Sequence, residues 1–169
     1  MTKRFQADYD FGKESEAKSL PDLQKIFKKE LIHDPMMYAH FDFHKDNILV
    51  ELKTRPNTEW VDGEMKHTTE KGRVMYIDTL YFDAPKMRFA FQHNKHRRLN
   101  GEPEKDFYLV WKCTNDYFYW KLNWDGEKGN RNDYYIEEQN KDFGHGFKQS
   151  RDVVNVYISK MKRITFSQK

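Results

Sequence analysis

The chain has 169 residues, of which 30 are Lys or Arg and 27 are Asp or Glu, for a formal charge of +3. That length is expected to hold one domain with a real core, and the near balance of charge excludes binding to nucleic acid or membrane by bulk electrostatics, so any such contact must come from a local patch. The single Cys113 excludes an internal disulfide and a cysteine-based zinc site, and points to a reducing, intracellular setting.

Aromatic residues make up 16% of the chain. Tyr, Phe and Trp are therefore expected to carry much of the core. No stretch reads as a leader or a membrane span, so no membrane partner is expected. Residues 1–11 read as an irregular lead-in. From 12 to 31 the pattern is helical, with Leu20, Leu23, Phe27 and Leu31 on one face. Stepping that face back by four reaches Glu16, and a carboxylate on a buried stripe needs a partner or a metal. Glu14 falls off the stripe and is expected in solvent. Pro21 removes a helical hydrogen bond, which leaves either a kinked helix or two short ones, the second capped by Ser19.

His33-Asp34-Pro35 ends this segment. Residues 36–43 and 48–55 read as two strands around Asp46-Asn47, whose short side chains tolerate the backbone of a tight turn. With those two as the loop, Phe43 faces Val50 and Asp42 faces Glu51. Alternation along the strand then places Asp42, Glu51 and Lys53 on one surface. Like charges directly opposite each other destabilise a hairpin, which points to a bound cation. The same alternation also describes a half-buried strand with its charged side in water.

Residues 56–73 are polar without sustained periodicity and read as a loop. Residues 74–82 are apolar and read as a third strand. Asp83-Ala84-Pro85 reads as a helix start with Asp83 as cap, and the helix is expected over 84–96 with Met87, Ala90 and Phe91 inward. Lys95, Arg97 and Arg98 close it; they suit a helix C-terminus electrostatically and could also follow a nucleic-acid backbone. Residues 107–114 and 117–123 form a second hairpin turning at Thr114-Asn115-Asp116, with Cys113 buried and inert. Beyond it the expectations are a loop over 124–132, a short strand over 133–138, a polar glycine-rich stretch over 141–150 and a mixed segment over 153–164. The histidines show no metal spacing; His44 projects to the face of Asp42.

The order helix, hairpin, strand, helix, hairpin, with an acid on the first helix and Asp42…Glu51-Leu52-Lys53 on the first hairpin, resembles the PD-(D/E)xK nuclease superfamily. Gly12-Lys13-Glu14-Ser15-Glu16 resembles the opening of its first helix. Phe41-Asp42 resembles its Pro-Asp box, with Phe41 in place of the proline, and Glu51-Leu52-Lys53-Thr54-Arg55 resembles its second box. Residues 79–86 followed by the second hairpin resemble small nucleases of large DNA viruses and phages.

The resemblance covers about residues 12–123, with 124–169 as an extension. It implies an α/β, restriction-endonuclease-like core with a central mixed sheet flanked by helices. It also implies a metal-dependent nuclease acting on DNA, in the cytoplasm or nucleus, or in a host cell for a viral protein. The implied cofactor is Mg²⁺ or Mn²⁺, held by Asp42, Glu51 and the backbone carbonyl of Leu52, with Glu16 holding a cation-bound water or a second cation. Lys53 would orient or deprotonate the attacking water. Arg55, Lys86, Lys95, Arg97 and Arg98 are the candidate nucleic-acid contacts, and a homodimer is compatible with the family. The rival expectation is a nucleic-acid-binding or scaffolding protein on the same fold with catalysis lost.

Overall fold

The computed structural model describes residues 3–34, 41–122, 132–142 and 148–165. Pro35, part of the first expected strand (36–40), most of the expected loop over 124–132, and residues 143–147 lie outside the described residues.

Helix α1 runs Lys3–Phe27. The lead-in expected over residues 1–11 is thus largely helix, and Pro21 does not divide it. Pro21 and Ala17 are both exposed, so the carbonyl that loses its partner faces water. Ser15, Glu16, Ser19 and Leu23 form the buried stripe, and Leu20 and Phe27 pack beside it. Lys28, at φ +53, ends the helix, so the buried Leu31 lies beyond it.

Strands β1 (Ile32–His33), β2 (Phe43–Lys45) and β3 (Ile48–Thr54) follow. Residues 56–73, expected as a loop, contain β4 (Thr58–Val61) and β5 (Glu64–Thr68), joined by Asp62-Gly63 at φ +51 and +79. That dipeptide is a strong hairpin signal, because both residues accept the left-handed backbone of a type I′ turn. The single strand expected over 74–82 is two, β6 (Val74–Ile77) and β7 (Thr79–Asp83), which enter different sheets on either side of Asp78.

Helix α2 (Ala84–Leu99) starts where expected, with Pro85 in its first turn and Met87 and Ala90 buried. Asp83 holds the cap position, but its carboxylate pairs with Arg151 at 3.0 Å and makes no capping hydrogen bond. The second hairpin is β8 (Asp106–Lys112) and β9 (Asp116–Lys121). The chain beyond it adds β10 (Tyr134–Asp142), β11 (Lys148–Tyr157), a 3-10 turn (Ile158–Lys160) and β12 (Lys162–Thr165).

The described residues make an α/β fold of two helices, a six-stranded mixed sheet and two three-stranded antiparallel sheets. The large sheet has the order β1-β2-β3-β8-β9-β12, with β3 and β8 parallel. Its two faces are covered differently. Val50, Leu52, Val110 and Tyr117 pack with Leu23 beneath α1. Leu109, Trp111, Phe118 and Trp120 pack with Phe82 of β7, Met87 and Ala90 of α2, and Val154 and Val156 of β11. Phe43, Phe82, Phe107, Trp111 and Phe118 are among the largest fully buried side chains, as the aromatic composition requires. Cys113 is buried too, and burial pushes its thiol up to about 12, which removes it as a nucleophile.

Candidate active site

The first hairpin has the register expected from its turn: Phe43 pairs with Val50, His44 with Leu49 and Lys45 with Ile48. Asp46, at φ +50, takes the left-handed conformation that closes it. Asp42 stands just before β2, and its backbone carbonyl accepts the Asp34 N–H at 2.7 Å. Its Oδ2 accepts the Leu52 N–H at 2.8 Å. Within a strand the N–H and C=O of one residue point to the same edge, so the Leu52 carbonyl lies on the edge that Asp42 occupies.

Glu51 and Lys53 project to the face opposite α1. Lys53 Nζ stands 3.1 Å from Glu51 Oε1. Lys86, from the first turns of α2, reaches 3.4 Å from Glu51 Oε2, and that buried oxygen accepts no hydrogen bond. Glu16 comes from α1, where helix packing brings Ser15 onto the Thr54 hydroxyl. Its Oε2 is 2.8 Å from His33 Nε2 and 3.2 Å from Lys13 Nζ. The His33 ring stacks on Phe43 at 4.9 Å, which fixes it against the hairpin.

The electrostatics follow from this crowding. Burial, and then the neighbouring Glu16 carboxylate, push Asp42 from its ordinary 3.8 up to about 6, against the opposing Leu52 N–H and Lys53 charge. Burial also raises Glu51, and Asp42 adds to the effect, while Lys53 and Lys86 oppose it. Burial alone would lower Lys53, but the Glu51 carboxylate, together with Asp83 and Asp42, outweighs it and raises the pKa, so the ammonium is held protonated.

The fold therefore brings together five of the residues singled out in the sequence, Glu16, Asp42, Glu51, Lys53 and Lys86, with the backbone of Leu52. It does not bring the others. The Arg55 guanidinium turns inward, donating to the Tyr81 carbonyl at 3.2 Å and lying 4.7 Å from the Tyr81 ring centroid, so it is not an open phosphate contact. Arg97 pairs with Glu102 at 3.1 Å and Arg98 with Glu104 at 2.9 Å. With Lys95 they sit at the other end of α2, about 14–18 Å along the axis from Lys86.

Two partners of the site, His33 and Lys13, escaped sequence reasoning. Lys13 could have been found, three residues before Glu16 on one helix. His33 could not, because its place depends on β1 pairing with β2, Ile32 with His44 and His33 with Phe43.

Among the described residues no three side chains of His, Cys, Asp and Glu are gathered as a ready-made metal cage. The donor set still suits a small hard cation. Mg²⁺ takes one or two carboxylates and keeps several waters, and here the Asp42 and Glu51 carboxylates stand beside a carbonyl edge, with Glu51 Oε2 accepting no hydrogen bond. No family model matches the chain, and no curated protein or solved structure matches it either.

Proposed function

We propose that this chain is a Mg²⁺- or Mn²⁺-dependent nuclease of the PD-(D/E)xK type, with a restriction-endonuclease-like core, that hydrolyses phosphodiester bonds in DNA. The observation that carries the proposal is the gathering of two buried, electrostatically coupled carboxylates, Asp42 on the Leu52 N–H and Glu51 beside it in β3, with Lys53 on Glu51. Two buried acids side by side are costly without a cation between them.

Asp42, Glu51 and the Leu52 carbonyl would hold the cation, with Glu16 behind them. When bound, the cation supplies Lewis-acid charge at the scissile phosphate. The Leu52 N–H holds Asp42 in place, and His33 and Lys13 hold Glu16. Lys53 is protonated, so it acts as a donor: it orients the attacking water or the phosphate and stabilises the negative charge that develops. Lys86 leaves Glu51 for a phosphate oxygen when substrate enters.

A second reading is a binding protein on the same fold with catalysis lost. The two lysines already on Glu51 favour it. The deciding experiment is cleavage of labelled single- and double-stranded DNA and RNA with Mg²⁺, Mn²⁺ or EDTA, comparing wild type with Glu51→Ala and Lys53→Ala. Metal-dependent cutting lost in both variants is the expected result. Binding without cutting in all three proteins would select the second reading.

A further inference from the structure

On the α1 face of the large sheet, away from Glu51, the end of α1 meets two tyrosines. The Phe27 ring is 4.8 Å from Tyr108 and 5.9 Å from Tyr119, and the two tyrosines are 6.4 Å apart. The three rings are only partly buried and line a cavity of about 540 Å³. That volume lies in the range of small-ligand clefts, about 300–1,000 Å³.

The rim of the cavity is basic. Lys121, Lys160 and Lys162 line it, and all three are exposed. Strand register explains two of them. Tyr108 pairs with Lys121 and Tyr119 pairs with Lys162, and directly opposed residues share a face, so each ring has a lysine beside it. Lys162 Nζ stands 6.0 Å from the Tyr119 centroid. Lys121 pairs with Asp106 at 3.4 Å, whereas Lys160 and Lys162 make no ion pair with a described residue. The carboxylate of the lining, Asp133, is buried and accepts the Trp120 Nε1–H at 2.9 Å. A core cluster needs no cations at its mouth. Half-covered aromatic rings beside clustered ammonium groups match a ligand that offers flat rings and anions together.

We propose that this cavity binds a single-stranded polynucleotide, with a base against Tyr108 and Tyr119 and backbone phosphates on Lys121, Lys160 and Lys162. A single strand offers its base faces, whereas a duplex hides them in the stack. Tyr108 pairs with Val50 in β3, so its side chain lies on the opposite face of the sheet from Glu51. The site is therefore separate from the hairpin carboxylates and does not rest on the nuclease reading.

The test is fluorescence anisotropy with the full chain in EDTA, where cleavage plays no part, using short labelled oligothymidylate, oligouridylate and a duplex of equal length. Single strands are expected to bind more tightly than duplex, and the tighter of the two oligomers identifies the sugar. The double variant Lys160→Ala/Lys162→Ala changes only exposed side chains. It is expected to weaken binding roughly 10-fold and to reduce the slope of log K against log salt by about 1.4, which corresponds to two lost phosphate contacts. Tyr119→Ala is expected to weaken binding by about 5- to 100-fold, with folding checked by circular dichroism. Unchanged affinity and slope in the double-lysine variant would overturn the proposal. So would duplex binding as tight as single-strand binding, or no binding to any probe.

Discussion

Asp42 is a carboxyl buried against Glu16, and that placement sets a pH dependence. Its folded value is about 6 against an ordinary 3.8, so the native state holds the proton more tightly than the unfolded chain does. Stability from this group is fully present below pH 3.8 and is lost as the pH rises through about 6. The loss amounts to about 3 kcal/mol at most. Asn keeps the acceptor for the Leu52 N–H and cannot ionise. In metal-free urea titrations, Asp42→Asn should match wild type near the lower limit and become the more stable protein toward neutral pH. A constant difference across the range would show that Asp42 is not raised. At the same scale Lys53, whose pKa the neighbouring carboxylates raise, is expected to act as a donor rather than a base. Lys53→Ala should lower kcat by about 10²–10⁴ while substrate affinity changes less, which single-turnover kinetics would separate.

Among the elements, the β4–β5 hairpin depends on its turn. Gly63 at φ +79 has open space around an added Cβ, so Gly63→Ala meets backbone strain alone. The expected cost is about 1–2 kcal/mol, read as a lower thermal midpoint. Strand β6 ends its sheet with Val74, Met75 and Tyr76 exposed, an apolar edge able to pair with another chain. Tyr76→Lys should raise the concentration at which the protein aggregates, measured by light scattering, with little change in melting temperature.

These elements also show what was legible in advance. The register of the site hairpin was legible because Asp46-Asn47 and the alternation through Lys53 are local information, although β2 is Phe43–Lys45 rather than the expected 36–43 and Asp42 stands outside it. The β4–β5 hairpin was equally local, and its Asp-Gly signal lay under a polar stretch without apolar periodicity. The start of α1 and the break at Asp78 left no such trace. The first has no apolar stripe, and the second separates strands that belong to different sheets. The partnership of Glu16 with His33 and the inward turn of Arg55 depend on long-range pairing that no local pattern carries.

At the scale of the whole molecule, the acids on the hairpin and helix are expected to make folding and cation binding one equilibrium. A hundredfold excess of Mn²⁺ over its dissociation constant should add about 2.7 kcal/mol of stability, visible as a calorimetric shift that Asp42→Asn or Glu51→Ala abolishes. The chain after the second hairpin is integral to this framework, because β11 pairs with β7, Val154 with Phe82, immediately before α2 begins. Truncation before β10 should therefore loosen Lys86 as well as the core.

The parallel pairing of β3 with β8 also governs the order of assembly. β4 to β7 and α2 lie between Ile48 and Asp106 in the chain, whereas the Phe43–Val50 hairpin closes over a few residues. Such distant closure is slow, on the order of milliseconds to seconds, and the short hairpin precedes it. For that interval Asp42 and Glu51 are expected to lie close together before the α2 lysine arrives. A refolding chain is then a better cation trap than a denatured one, and Mn²⁺ in the refolding buffer should quicken the slow stopped-flow phase.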